Sequence, residues 1–366
     1  MIQTIGILGG GQLGRMMALA AREMGYNIVV LDPTPNCPCG QVADKQIVAE
    51  FDDIDAAKEL LESCDVITYE FENVNLKVAE SLAPKLPQTS RLLEITQNRI
   101  VEKVEINKAG LRTVHYKVIT NQNELDLFVE NYKLHPIKTV IKTATGGYDG
   151  KGQYVINNAE ELKAFATEKY NADIDYVAEE FIKFEKELSV IVCRNAKKEI
   201  AVFPVAENIH RNQILFESIV PARVSHYAED RAIALAKQLA THLNLVGTLA
   251  IELFLCGDEL VVNELAPRPH NSGHYTINAC TTSQFEQHIR AVCNLPLGDT
   301  KLSSPCVMLN ILGEDKYLMD REKIGKHKLH LYGKIEAKTG RKMGHINVLG
   351  ETIGECLKEV ENLIAP

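Results

Sequence analysis

The stretch IGILGGGQLGRMMALAAREMGYNIVVLDPTP, near the N-terminus, constrains the fold of this chain more than any other. Ile5–Leu8 is a short apolar run with strand character. Residues 9–14 read G-x-G-x-x-G, and a helical run follows up to Gly25, a suitable C-cap. A second apolar run, Asn27–Leu31, ends at Asp32. Strand, glycine turn, helix and strand in that order announce a parallel α/β unit.

The next segment, DAAKELLESCDVITYEFENV, adds a helix and the strand Val66–Tyr69. That strand ends in Glu70-Phe71-Glu72-Asn73, polar groups at a carboxyl end, where open α/β sheets place ligands. The unit is Rossmann-like, and residues 1–95 are expected to form an N-terminal domain. After QNRIVEKVEINKAGLRT, a helix closed by Gly110, the pattern changes. PIKTVIKTATGGYDGKGQYVI reads as strand, glycine loop, strand; a helix is expected at about 159–169, then the strand DYVAEEFI. Strands KELSVIVCRN and EIAVFPVAENIH follow, and the helix AEDRAIALAKQLATHLN precedes GTLAIELFLCGDELVVNELAPRPHNSGH. Beyond about residue 300 the chain reads as short strands and turns.

Bulk properties narrow the function. The 366 residues suit two or three domains, with 45% apolar and 24% charged residues, the balance of a soluble globular protein. A net charge of −9 argues against a general nucleic-acid binder. No apolar run reaches membrane-spanning length, and the N-terminus lacks the pattern of a signal peptide, so a cytoplasmic location is expected. The nine cysteines have no metal-like spacing, Cys37-Pro38-Cys39 is too short for a C-x-x-C motif, and zinc is not expected.

Five features carry chemistry. The first glycine loop reads as a dinucleotide site with Asp32 on the ribose, as a bare tight turn, or as a seat for another phosphorylated ligand. Asp32-Pro33 and the lack of any other sign of hydride chemistry discount NAD. The second loop, TATGGYDGKG (143–152), is not a P-loop, because Gly150-Lys151 is followed by Gly152 and Thr145 stands where that motif needs glycine. It joins two strands, so it reads as a hairpin flap whose amides close over phosphates, with Lys142 beside it as a point charge. Four glycines exceed the needs of a hairpin turn. AIELFLCGDELVVNEL places Glu252 and Glu264 inside apolar strands, where a charge is costly unless paired or bound to metal. A two-residue loop at 257–258 sets Glu252 opposite Asn263; a three-residue loop sets it opposite Glu264. Either way the carboxylates cluster and call for a cation, and all-oxygen ligands suit Mg²⁺. Finally, APRPHNSGH crowds Arg268, His270, Asn271, Ser272 and His274 into one irregular segment, and YGKIEAKTGRKMGH offers Lys334, Arg341 and Lys342 to a phosphate.

Together GGGQLGRM, YEFEN, QNR, KTATGGYDGKGQ, EEFI, NIH, NELAPRPHNSGH and GRKMGH resemble the ATP-grasp superfamily. Within it the chain is similar to the N5-carboxyaminoimidazole ribonucleotide synthetases of purine biosynthesis. The resemblance spans nearly the whole chain, and PRPHNSGH with GRKMGH is its most specific part. It implies an α/β (α+β) fold: the Rossmann-like domain, an ATP-grasp domain over 96–300 with a lid at about 116–182 beside an antiparallel sheet, and a small β-rich C-terminal domain over 301–366. It implies that ATP phosphorylates bicarbonate to carboxyphosphate, which carboxylates the amine of 5-aminoimidazole ribonucleotide. It also implies a homodimer with small-molecule partners alone.

The implied roles fall on named positions. Arg99 and Lys142 would contact ATP phosphates under a flap of Gly147, Tyr148, Asp149, Gly150, Lys151, Gly152 and Gln153. Glu179, Glu180, Phe181 and Ile182 would be the adenine hinge, Glu187 the ribose ligand, and His210 a neighbour of the nucleotide. Glu252 and Glu264 would hold Mg²⁺ with Asn263 beside them; many relatives have Asn at the position of Ala266. Gly11, Gln12, Leu13 and Glu70 would line the ribonucleotide site. Tyr148 and Asp149 would face the imidazole, and Arg268, His270, Asn271, Ser272, Lys334 and Arg341 would meet its phosphate and carboxyphosphate. Asp149 and His270 are both candidates to take the amine proton. The competing expectations are another carboxylate–amine ligase, such as formate-dependent glycinamide ribonucleotide formyltransferase, and a non-catalytic nucleotide-binding protein.

Overall fold

Four parallel strands, in the spatial order 45–47, 27–31, 4–8 and 66–69, form the N-terminal sheet of the computed structural model, which describes residues 2–146 and 152–365. The expected strand–turn–helix–strand unit is present: Thr4–Leu8, helix Gln12–Glu23, then Asn27–Leu31. Gly25 ends that helix at φ +86°, a conformation without steric cost only for glycine. Apolar side chains cover both faces of the sheet, as a parallel sheet requires: Ile5, Ile7 and Met17 on one, Leu8, Leu60 and Ile67 on the other.

Residues 116–180 form a separate four-stranded antiparallel sheet, ordered 116–119, 176–180, 139–143, 153–156. Helices Gln122–Leu134 and Ala159–Ala164 pack on it around Leu125, Ile141, Phe165 and Tyr176. The second glycine loop joins the adjacent strands Thr139–Thr143 and Gln153–Ile156, as a hairpin flap should; its residues 147–151 lie outside the described residues. The helix expected at about 159–169 is α-helical only to Ala164 and continues as a single π turn, Phe165–Lys169.

A nine-stranded antiparallel sheet makes the centre of the molecule. Its order runs 259–266, 247–256, 186–194, 206–211, 214–220, 306–312, 342–349, 328–331, with 200–202 beside 186–194. The sheet passes residue 300 without a break, because strand Cys306–Leu312 pairs with Ile214–Val220. Helix His226–His242 covers one part of it. Ala228, Ala232, Leu235, Ala236, Leu239 and Ala240 recur with helical period and are buried against Val190, Leu249 and Ile251. The C-terminal segment, read from sequence as strands and turns, closes with a helix, Ile353–Ile364. Thr352 and Glu355 form a capping box at its start, and Val360 and Leu363 bury its apolar face.

The N-terminal sheet meets the central sheet through a buried polar chain. Thr248 N–H donates to His288 Nδ1 (3.2 Å), so the proton of this neutral ring is on Nε2, 2.8 Å from Thr68 Oγ1. Thr68 donates to Gln88, whose Nε2 donates to the Pro267 carbonyl (3.2 Å), next to Arg268. Burial pushes His288 down to about 3 and holds His274 and His345 well below the usual histidine value, with neighbouring histidines adding to the effect on the latter two. An unfolded histidine titrates near 6.5. Between that value and the folded one, the unfolded chain binds protons that the folded chain refuses. Their stabilisation is therefore complete above about pH 6.5 and falls with pH, by about 1.4 kcal/mol per unit for each ring. Urea unfolding at pH 7.5 and 5.5 should show that loss, and His288→Asn should reduce its slope. A flat profile would contradict buried neutral histidines.

Candidate active site

The three sheets converge on a cleft of about 730 Å³. The N-terminal sheet contributes the ends of two of its strands. At the first glycine loop, Gly9 has φ +99°, and a Cβ there would lie 2.5 Å from Glu70 Cγ. The Gly14 backbone is equally close to the loop, since a Cβ would come 2.6 Å from Gly9 O. This tight approach lets the Glu70 carboxylate accept from Gly11 N and from Gly14 N (2.7 Å) at the start of the helix. The helix N-terminus, which in a dinucleotide site faces a phosphate, is thus filled by the chain's own anion. Asp32 likewise serves the turn: it accepts from Gly10 N and Thr34 N, both at 2.8 Å. That removes the ribose reading of Asp32. Burial raises the Glu70 carboxyl above its ordinary value despite the two amide bonds.

The lid contributes Lys142 and Glu179, which face each other on neighbouring strands. Lys142 Nζ is 2.7 Å from Glu179 Oε2, and Lys103 Nζ, 1% exposed, is 2.8 Å from Oε1. Burial alone would raise the Glu179 carboxyl; the two lysines overcome it and hold it below the usual range. Lys142 therefore enters the cleft with its orientation fixed. Beyond Glu179, Glu180, Phe181 and Ile182, the residues expected as the adenine hinge, line the cleft. Two hinge amides are engaged internally, Glu180 N with His115 O (2.9 Å) and Phe181 N with Lys138 O (2.8 Å). Phe254, stacked on Phe184 at 4.5 Å, adds an apolar wall. Glu187 and His210 pair through Nδ1 at the same end. Burial opposes protonation of His210, but the Glu187 hydrogen bond and charge raise its pKa.

The central sheet contributes the carboxylates. The hairpin loop is the two-residue Gly257-Asp258, with Cys256 opposite Glu259. On loop length alone Glu252 should face Asn263. It faces Glu264, because a β-bulge between Glu252 and Leu253 leaves Asn263 unpaired on the opposite strand. Burial, and then the charge of Glu264, push the Glu252 carboxyl up to about 7. Arg99 Nη1 reaches Glu264 Oε2 at 3.1 Å. Asn263 Oδ1 is buried with no hydrogen-bond partner among the described residues. Two crowded carboxylates and an unsatisfied amide oxygen form an all-oxygen set of the kind that Mg²⁺ fits. Among the described residues no group of three His, Cys, Asp or Glu side chains assembles as a metal site, and all nine cysteines are free thiols.

The PRPHNSGH segment closes the cleft. Arg268 makes a two-pronged ion pair with Glu72, one arm Nη2 to Oε1 at 3.0 Å, which joins the segment to the N-terminal domain. His270 Nε2 lies 3.4 Å from Glu252 Oε1, and burial and then Arg268 hold its pKa well below the usual value. Gln12, Leu13, Arg99, Gln153 and Asn271 also line the cleft. Gly11, Ser272, Lys334 and Arg341, also expected at the substrate, are not among the residues that line this cleft. Ser272 is fully buried behind His270; Lys334 Nζ is turned to the Lys342 carbonyl (2.7 Å), and Arg341 to the Glu336 carbonyl (3.1 Å). Lys342, the first residue of strand Lys342–Leu349, does line the cleft. Burial, then Arg341, lowers the Lys334 amine to about 8. Gly147, Tyr148, Asp149, Gly150 and Lys151 lie outside the described residues, and Gly152 holds φ +70° at the edge of the flap. Sequence reasoning passed over Lys103, and it marked Glu72 as a polar group at a strand end without foreseeing its pairing with Arg268. The signal for Lys103 was one charge in an otherwise periodic helix.

Comparison with known proteins decides the lineage. Residues 2–97 match the ribonucleotide synthetase preATP-grasp domain, 104–285 the ATP-grasp domain, and 306–359 the phosphoribosylaminoimidazole carboxylase C-terminal domain. The N5-carboxyaminoimidazole ribonucleotide synthase of Bacillus subtilis (strain 168) is 50% identical over 364 residues, 98% of this chain and 94% of the relative. The chain belongs to the N5-carboxyaminoimidazole ribonucleotide synthase family. Crystal structures of family members agree over the same span. An N5-carboxyaminoimidazole ribonucleotide synthetase in complex with ADP superposes with a TM-score of 0.93 at 53% identity, covering 99% of this chain and 96% of that one. The Aspergillus clavatus synthase in complex with ADP and 5-aminoimidazole ribonucleotide gives 0.91 at 30% identity, covering 99% and 97%. The family's mixed α/β ATP-grasp architecture is the one described above, and among the described residues no helix is long and apolar enough to cross a membrane.

Proposed function

We propose that this family member uses ATP and bicarbonate to carboxylate the amine of 5-aminoimidazole ribonucleotide, giving the N5-carboxylated ribonucleotide, ADP and phosphate. The observation that carries this reading is the convergence in one cleft of Lys142, Arg99, the Glu252–Glu264 pair and the Arg268–His270 segment. Phosphoryl transfer needs placement and charge neutralisation more than covalent help. Lys142, fixed by Glu179, and Arg99, fixed by Glu264, supply cationic charge from two sides. Glu252 and Glu264 would hold Mg²⁺, which when bound neutralises phosphate charge. No protein nucleophile is required.

Bicarbonate oxygen attacks the γ-phosphorus, and the bond to ADP breaks. Carboxyphosphate hydrolyses readily, so the site must exclude water until the amine attacks. The lid's flap strands, on one side of the cleft, and the Glu70–Glu72 strand end, on the other, are placed to do this. Phe254 and Phe181 give the nucleotide base an apolar seat, with Glu187 positioned for its ribose. Gln12, Leu13 and Glu70 suit the ribonucleotide, and Arg268 and Lys342 its phosphate. A coupled ADP-release assay tests the reading. Release should require both bicarbonate and the aminoimidazole ribonucleotide, with formate unable to replace bicarbonate. Release that ignores the ribonucleotide would sink it.

A further inference from the structure

The surroundings of the His270 ring determine which of its nitrogens carries a proton. The Ser272 backbone N–H donates to Nδ1 at 3.3 Å, and Ser272 Oγ lies 2.9 Å from the same nitrogen. A backbone amide only donates, so Nδ1 is an acceptor and bears no hydrogen. Ser189 Oγ donates to Ser272 Oγ at 2.7 Å, which leaves the Ser272 hydroxyl proton for Nδ1. The ring proton is therefore on Nε2, the nitrogen facing Glu252 Oε1. Ser189 sits directly opposite Glu252 in the central sheet, so the series Ser189, Ser272, His270, Glu252 begins and ends on paired strand positions. Ser189 and Ser272 are 1% and 0% exposed, which removes them as nucleophiles or substrate contacts.

We propose that Ser189 and Ser272 are positioning residues that hold His270 as a fixed hydrogen-bond donor, presenting Nε2–H to the acyl-phosphate carboxylate, and that His270 is not the base for the amine. The proposal rests on the carboxylation reading above. The proton balance closes without a protein base. As the amine nitrogen bonds to the carboxyl carbon of carboxyphosphate, the carbon–oxygen bond to phosphate breaks and its electron pair stays on the phosphate oxygen. That trianion takes the amine proton and leaves as hydrogen phosphate. His270 meanwhile steadies the carboxylate oxygens with a hydrogen it keeps.

The test reads the tautomer directly, on the full-length protein labelled with ¹⁵N-histidine, by long-range ¹H–¹⁵N correlation. His270, assigned by its disappearance in His270→Gln, should show a bare Nδ1 and a protonated Nε2. Ser272→Ala keeps the longer backbone bond to Nδ1 (3.3 Å) and loses the shorter hydroxyl bond (2.9 Å), so a minor Nδ1–H tautomer should appear beside the Nε2–H form, with kcat roughly tenfold lower, as for one lost hydrogen bond, and KM for ATP within about twofold. Ser189→Ala supplies the same readout if Ser272→Ala does not fold. His270→Gln, whose amide N–H can stand in for Nε2–H, should be at least about tenfold more active than His270→Ala. A protonated Nδ1 in the wild type, an unchanged tautomer in both serine variants, or equal loss in Gln and Ala variants would each overturn the proposal. The spectra need no turnover, so they remain decisive even if the carboxylation reading fails.

Discussion

Glu264→Gln is expected to lower turnover on the order of 10³-fold while the protein stays folded. Glu252 and Glu264 stand opposite each other across a bulged hairpin, and the repulsion between them contributes to raising Glu252 to about 7. Such an arrangement costs the free protein stability, and a bound cation relieves it. Removing one carboxylate should therefore abolish the metal-dependent step without a matching loss of stability. Circular dichroism and urea unfolding should find a native-like protein, and the ADP-release assay an inactive one. The Mg²⁺ concentration for half-activity of any residual turnover should rise. Unchanged activity would remove the carboxylate pair from the chemistry.

Glu179→Gln is expected to have the largest effect on stability, about 3–5 kcal/mol. Glu179 is buried between Lys103 and Lys142, with each carboxylate oxygen taken by one ammonium group. Its neutralisation leaves two cations close together, one of them 1% exposed, without the carboxylate that pairs them both. Lys103→Met should cost much less, because the Lys142–Glu179 pair survives. Urea unfolding followed by circular dichroism gives both values. A loss below about 1 kcal/mol in Glu179→Gln would contradict the buried triad.

The sequence made the N-terminal unit legible because local signals agree there. Apolar runs, a glycine turn and a glycine C-cap place Thr4–Leu8, Gln12–Glu23 and Asn27–Leu31 without tertiary information. The Ile353–Ile364 helix was missed, although its Thr352–Glu355 capping box is a local signal. Other features depend on contacts between distant segments. The register of Glu252 and Glu264 turns on a bulge at Asn263, which neither loop length nor alternation encodes. Lys103 reads as one charge on an amphipathic helix and is buried only because a lid strand brings Glu179 over it. The first glycine loop shows its form in sequence but not its occupant, since Glu70 arrives from another strand. In the APRPHNSGH segment, composition pointed to the site, yet which side chains face the cleft depends on the fold. Asn271 lines it, and Ser272 stands behind His270.

The central claim is that one cleft couples ATP cleavage to carboxylation of the aminoimidazole amine. The most direct measurement supplies ¹³C-bicarbonate, Mg-ATP and 5-aminoimidazole ribonucleotide, and follows ¹³C incorporation by NMR alongside ADP. One labelled N-carboxylate should appear for each ADP formed at early times. ADP formed without labelled ribonucleotide would contradict it.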